Sequence, residues 1–141
     1  MAAINTRRVL LGGAVGGVVW SVWSILINVL VLASRYADAQ KAGNLLAEPR
    51  YGLFIGYWTI SLFLISGVLA WLYAGVRATF GAGPRTALAL GVLAGFAIAF
   101  PMNLSMATWG TFGRIFPTFW MLDLWVGAIL ATFIAAWLYK E

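Results

Sequence analysis

The chain has 141 residues, of which 63% are hydrophobic and only 9% charged, with a formal net charge of +5. A soluble domain carries about 25% charged residues, so there is too little polar surface to coat a water-soluble fold, and the composition specifies an integral membrane protein. Cys and His are both absent, which removes disulfides, the usual ligands of zinc, haem, copper and iron–sulfur centres, and His- or Cys-based catalysis.

Four apolar runs, 9–33, 51–76, 87–108 and 115–139, are long enough to cross the membrane; spanning about 30 Å of hydrocarbon takes about 20 helical residues. The alternating runs of about ten residues that build a membrane barrel are missing, so helices are the remaining way to satisfy every backbone polar group in lipid. The predicted fold is all-α: a four-helix integral membrane bundle, one transmembrane domain over 1–141.

The first run is preceded by Arg7-Arg8 and followed by Ala37-Asp38-Ala39, a pattern similar to an export signal with its cleavage site. At about 24 residues the run exceeds a normal signal core, and it carries Trp20, Trp23 and Asn28, so a retained span is expected. Gly12, Gly13, Gly16 and Gly17 form two overlapping small-xxx-small pairs. Such pairs let another helix approach closely, either inside the bundle or across a homodimer seam. Ser21, Ser24, Asn28 and Arg35 follow at spacings of three, four and seven, which places them along one helix face.

The 34–50 connection is the longest polar stretch. Arg35, Asp38 and Lys41 are three apart and suit a helix continuing past the membrane, with Gly43-Asn44 as its stop. The second run carries Tyr57, Trp58, Thr59, Ser61 and Ser66, and ends in the interfacial anchors Trp71-Leu72-Tyr73. In the tight linker that follows, Pro84 suits the first helical position of the third span. The Lys-Ser/Thr signature that a phosphate loop needs is missing beside the linker glycines. In the third span, Pro101 removes a backbone donor and is expected to kink the helix. In the fourth, Gly127, Ala131 and Ala135 form a packing stripe at fours.

Asp123 is the only charged residue well inside any run. Placing an Asp at the centre of a membrane helix costs about 2.5–3.5 kcal/mol on insertion scales, so the site must be offset or used. Counted at about 1.5 Å per residue from the span ends, Asn28, Tyr57, Asn103 and Asp123 fall at similar depth. They are expected to form one polar layer, with one residue from each helix, about 8–12 Å below the surface that carries the 34–50 connection. Trp71-Leu72-Tyr73 and Trp137-Leu138-Tyr139 are 66 positions apart, as are Tyr57 and Asp123, and Ile27-Asn28 matches Met102-Asn103. These matches hint at two duplicated hairpins in parallel orientation.

Arg7, Arg8, Arg77, Arg85 and Lys140 lie on one side, and Arg35, Lys41, Arg50 and Arg114 on the other. The paired Arg at the start and the short 77–86 linker favour both termini in the cytoplasm. Cations at span ends read as headgroup anchors, so the lipid bilayer is the expected partner and nucleic acid is not.

The run Ala70-Trp71-Leu72-Tyr73-Ala74-Gly75-Val76-Arg77, with Phe80-Gly81-Ala82-Gly83-Pro84-Arg85-Thr86-Ala87, resembles a stretch of small four-helix bacterial membrane proteins of uncharacterised function. The resemblance implies an inner-membrane protein and carries over no functional residues. No catalytic, cofactor or metal site is expected. The leading functional expectation is a non-catalytic scaffold or accessory subunit that packs through small-residue faces against itself or a membrane partner. The alternative is a small proton-linked transporter or channel using Asp123, since intramembrane acids often mark such paths.

Overall fold

The computed structural model describes residues 4–139; Lys140, counted above among the charges, lies outside them. The described residues form helices α1 (Thr6–Ile25), α2 (Ala33–Lys41), α3 (Phe54–Phe80), α4 (Pro84–Trp109) and α5 (Ile115–Leu138). A π-helical stretch, Leu26–Val31, continues α1 without a break. Four spans, Thr6–Val31, Phe54–Phe80, Pro84–Trp109 and Ile115–Leu138, are long and apolar enough to cross a membrane. The protein is an all-α, multi-pass membrane bundle. In each span's most apolar window no more than 33% is buried inside the chain, so most of that apolar surface is left for lipid.

α3 and α4 run on past the expected ends of their spans, to Phe80 and Trp109. α3 continues to Phe80 because the next residue, Gly81, has φ 85°. Gly83, with φ 130° and ψ −175°, sets up Pro84 at the start of α4, a backbone conformation open in practice only to glycine. Thr86 Oγ1 donates to the Gly81 carbonyl at 2.7 Å and closes the turn. α2 is the expected extension past the first span, and Gly43 follows its C-cap with φ 75°.

Glycine decides which helices meet. α1 lies between α5 and α3, and α4 packs mainly on α5. Along the antiparallel α1–α5 seam, a Cβ on Gly12 would sit 3.1 Å from Ala135 Cα, and one on Gly16 3.1 Å from the Ala131 carbonyl oxygen. One step further, the Trp20 indole fills the space over Gly127, and a last step of four brings Ser24 to Asp123. The other face of α1 sets Gly13 against Gly67 and Gly17 against Phe63, each at 2.7 Å from an added Cβ. All four α1 glycines are buried, so the small-residue face expected from the sequence packs within the chain.

The two hairpins, α1 with α3 and α4 with α5, repeat each other in their contacts. Tyr139 OH accepts from Asn5 N at 2.9 Å, and Tyr73 OH accepts from Gly83 N at 3.0 Å. Each tyrosine thus binds the backbone just ahead of a helix of the other hairpin. Asn5 and Gly83, Thr6 and Pro84, Gly13 and Gly91, and Gly17 and Gly95 are all 78 positions apart, and Gly91 and Gly95 pack on α5 as Gly13 and Gly17 pack on α3. In this register Asn28 and Asn103, 75 apart, are not equivalent; helix starts and glycines fix the phase, and the two asparagines are nearly a turn out of it.

The bundle is not closed equally on all sides. α3 and α4 make much the slighter contact, and a cleft remains between them.

Candidate functional site

The site is built around Asp123, which α5 holds about 12 Å from its first residue by helical rise. The carboxyl is buried, 1% exposed. Ser24 and Asn28, one turn apart on the first span, both reach it: Ser24 Oγ donates to Oδ2 at 2.7 Å, and Asn28 Nδ2 donates to the same oxygen at 3.0 Å. Trp58 Nε1, from α3, donates to Ser24 Oγ at 3.2 Å. Tyr36 OH, from α2, donates to Asn28 Oδ1 at 2.7 Å and accepts from Trp120 Nε1 at 2.7 Å.

The two indoles fix the direction of this network. An indole nitrogen can only donate. Because Trp58 donates to Ser24, the serine proton is free for Asp123. Because Trp120 donates to Tyr36, the phenol proton goes to Asn28 Oδ1, which turns the amide nitrogen toward Asp123. Both chains therefore end on Oδ2 as an acceptor. Burial pushes the Tyr36 phenol above its ordinary value of 10.0; the Trp120 N–H opposes that shift, and the charge of Asp123 adds to it. Tyr36 thus keeps its proton at neutral pH. The other carboxyl oxygen, Oδ1, is buried without a hydrogen-bond partner, as is Trp20 Nε1. The Trp20 indole lies near enough to the carboxyl to interact with it electrostatically, short of a well-formed hydrogen bond.

Tyr36 reaches the site because of the π-helical stretch. Leu32 N bonds to the Ile27 carbonyl, five residues back, at 3.1 Å. The extra residue in that turn shifts everything beyond it by one position, so Tyr36 takes the place on the Asn28 face that an unbroken α-helix gives Arg35. Arg35 is exposed. Single π-turns of this kind are frequent at functional sites. Tyr36 also stacks on Phe116, centroids 5.1 Å apart, and with Phe112 and Trp120 this aromatic group packs the end of the bundle.

A cleft of about 730 Å³ opens beside the carboxyl. Ser24, Asn28, Asn103 and Asp123 lie along it, and Ile25, Ile55, Leu62, Ile98 and Met102 give it apolar walls. Ile25, Ile55 and Met102 are largely exposed within their spans, so the cleft opens sideways toward the lipid-facing surface. The volume falls in the range of small-molecule sites, about 300–1,000 Å³.

Of the four residues expected to form the polar layer, Asn28 and Asp123 bond directly. Asn103 is buried and lines the same cleft, but its amide donates to the Ala99 carbonyl of its own helix at 2.7 Å. Tyr57 does not join them; it is 56% exposed, and its neighbour Trp58 faces inward instead. Depth counting places residues along a helix axis, but each residue is rotated about 100° from the next, so a miss of one position turns a side chain outward. The layer is therefore corrected to Ser24, Asn28, Tyr36, Trp58, Trp120 and Asp123, with Asn103 across the cleft. Ser24 was legible from its spacing with Asn28; Tyr36, Trp58 and Trp120 carried no such signal.

Compared with known proteins, the chain matches no family model, no curated protein and no solved structure.

Proposed function

We propose that this protein is a non-catalytic, membrane-embedded binding protein that takes an apolar-tailed small molecule into the cleft, polar end toward Asp123. The observation that carries this reading is a buried carboxyl, one oxygen unpartnered, beside an apolar cleft of about 730 Å³. Apolar walls with a few convergent polar groups are the ordinary make-up of a small-molecule site. The accessory-subunit expectation rested on small-residue faces, and those of α1 and α4 are taken up inside the bundle. The proton-transport alternative has Asp123 in its favour, but the chain from Tyr36 to the carboxyl passes through the Asn28 amide, and an amide holds its protons too firmly to relay them. We assign both termini to the cytoplasm on the strength of Arg7, Arg8 and the short α3–α4 turn, in the bacterial inner membrane that the resemblance of the 70–87 stretch implies.

The test is to purify the protein in mild detergent and identify its extractable small molecules by mass spectrometry, beside the variant Ile98→Trp, which fills the cleft. Wild type should carry one amphiphile enriched over bulk lipid, and the variant should lose it with helicity unchanged. Identical extracts matching bulk lipid from both proteins count against the reading. Proton flux in vesicles that disappears in Asp123→Asn revives the transport alternative.

A further inference from the structure

We infer that the molecule held in the cleft is a lipophilic amine, a single apolar chain ending in a cationic nitrogen, with that nitrogen paired to Asp123. This deepens the proposed binding function and rests on it.

Three independent observations point to the charge of the head. The first is the fixed polarity of the network. Trp58 and Trp120 can only donate, so the hydrogen bonds on Ser24 and Asn28 run toward Asp123 and present it as an acceptor. Two donors meet on Oδ2, while Oδ1 accepts no hydrogen bond, the Trp20 N–H lying near the carboxyl without forming one. What the carboxyl still needs is a donor or a positive charge.

The second is charge complementarity. Among the described residues no Lys or Arg lines the cleft, and Asp123 is its one carboxylic acid. An anionic head would bring a negative charge beside the carboxyl with nothing to offset it. A neutral alcohol could bond to the carboxyl but could not hold it ionised, because a carboxylate in a dry site keeps its charge only when paired. A cationic nitrogen supplies both the donor and the charge.

The third is the aromatic lining. Tyr36, Phe54, Trp58 and Trp120 line the cleft together with Asp123, Trp58, Tyr36 and Trp120 through its hydrogen-bond network and Phe54 beside Trp58. Aromatic faces attract cations through the ring quadrupole, and aromatic cages are the recurring solution for ammonium groups. Trp58 and Trp120 already use their N–H groups on Ser24 and Tyr36, so their remaining contribution to a ligand is the ring.

The same lining separates a simple amine from an aminophospholipid. A phospholipid brings a phosphate within a few atoms of its nitrogen, and among the described residues the cleft has no cation to receive it.

The test uses the full chain in nanodiscs of neutral phosphatidylcholine, with radiolabelled dodecylamine, dodecanol and lysophosphatidylethanolamine below their micellar concentrations and empty nanodiscs as the partition blank. Dodecylamine should bind saturably, one per chain, at least about tenfold more tightly than dodecanol, a difference of about 1.4 kcal/mol. Asp123→Asn, which keeps the shape, should weaken the amine about tenfold or more and leave dodecanol within about twofold. Met102→Lys, at an exposed position on the cleft wall, should have the same effect and serves if Asp123→Asn fails to fold. Equal binding of amine and alcohol, or amine binding unchanged in both variants, overturns the cation inference and leaves the cleft-binding function standing. Lysophosphatidylethanolamine binding tightest overturns it in favour of a lipid headgroup. If no probe binds above the blank, both readings fall.

Discussion

The Trp20 indole lies in the space that a Cβ on Gly127 would need, and it does so with its own Nε1 buried and unpartnered. This contact is one step in a register of fours that runs from Gly12 and Ala135 to Ser24 and Asp123. The placement of the carboxyl's partners therefore depends on how closely α1 and α5 approach one turn away. Gly127→Ala should move Trp20, destabilise the bundle by about 1–3 kcal/mol, as overpacking does, and weaken the Ser24–Asp123 bond. Unfolding in mixed micelles and the tryptophan emission spectrum measure the two effects. An unchanged stability would show that the seam is loose.

The glycines on the other face of α1 set up a second expectation. Because an added Cβ at Gly13 would press on backbone atoms of Gly67 at 2.7 Å, the neighbour cannot yield by turning a side chain. Gly13→Ala should lower stability even at a high detergent-to-protein ratio, which favours single chains. If the substitution leaves the monomer intact and only dissociates an oligomer, the face is a seam between chains.

Asp123 separates shape from chemistry. In Asp123→Asn an oxygen remains to accept from Ser24 and Asn28, so the fold should survive with a small loss. Asp123→Leu leaves both donors without an acceptor in a dry site; a buried group stripped of its partner costs about 1–3 kcal/mol. The ordering of the two variants in micellar unfolding is the measurement, and equal loss from both argues that the bonds from Ser24 and Asn28 to Asp123 do not hold the bundle together.

Tyr36 and Trp120 should prove coupled. Tyr36→Phe and Trp120→Phe each break the bond between them, so the double variant should cost less than the two single variants together, by about 0.5–3 kcal/mol. Additive losses would mean that the indole does not hold the phenol in place.

The phenol also gives a pH dependence. Tyr36 holds its proton more tightly in the folded chain than the ordinary value of 10.0, chiefly through burial. Its contribution is therefore complete below pH 10.0 and declines as pH rises above it, because the unfolded chain releases the proton first. Wild type should lose stability above that pH more steeply than Tyr36→Phe. Parallel pH curves for the two proteins would refute the shift.

Much of the architecture was legible before any coordinates. Length and hydropathy define four spans, Pro84 marks the start of one, and Gly43 the end of the helix beyond the first. The stripe of Gly127, Ala131 and Ala135 is the face that α1 packs against. Asp123 stands out because an isolated charge in an apolar run is costly wherever the helix points, and Asn28, which bonds to it, was found by depth alone.

The sequence by itself determined the material of this protein: a four-span membrane bundle, without His or Cys chemistry, carrying one carboxyl that has to be accommodated. Tertiary structure decided which residues accommodate it. These spans are apolar nearly all the way round, so hydropathy cannot say which side of a helix turns inward, and Trp58 rather than Tyr57 was a matter of about 100° of rotation. One extra residue in the π-turn put Tyr36 where Arg35 was expected, and no residue in Leu26–Val31 announces that turn. The cleft lies where α3 and α4 make little contact, and which helices meet is defined only once they are paired.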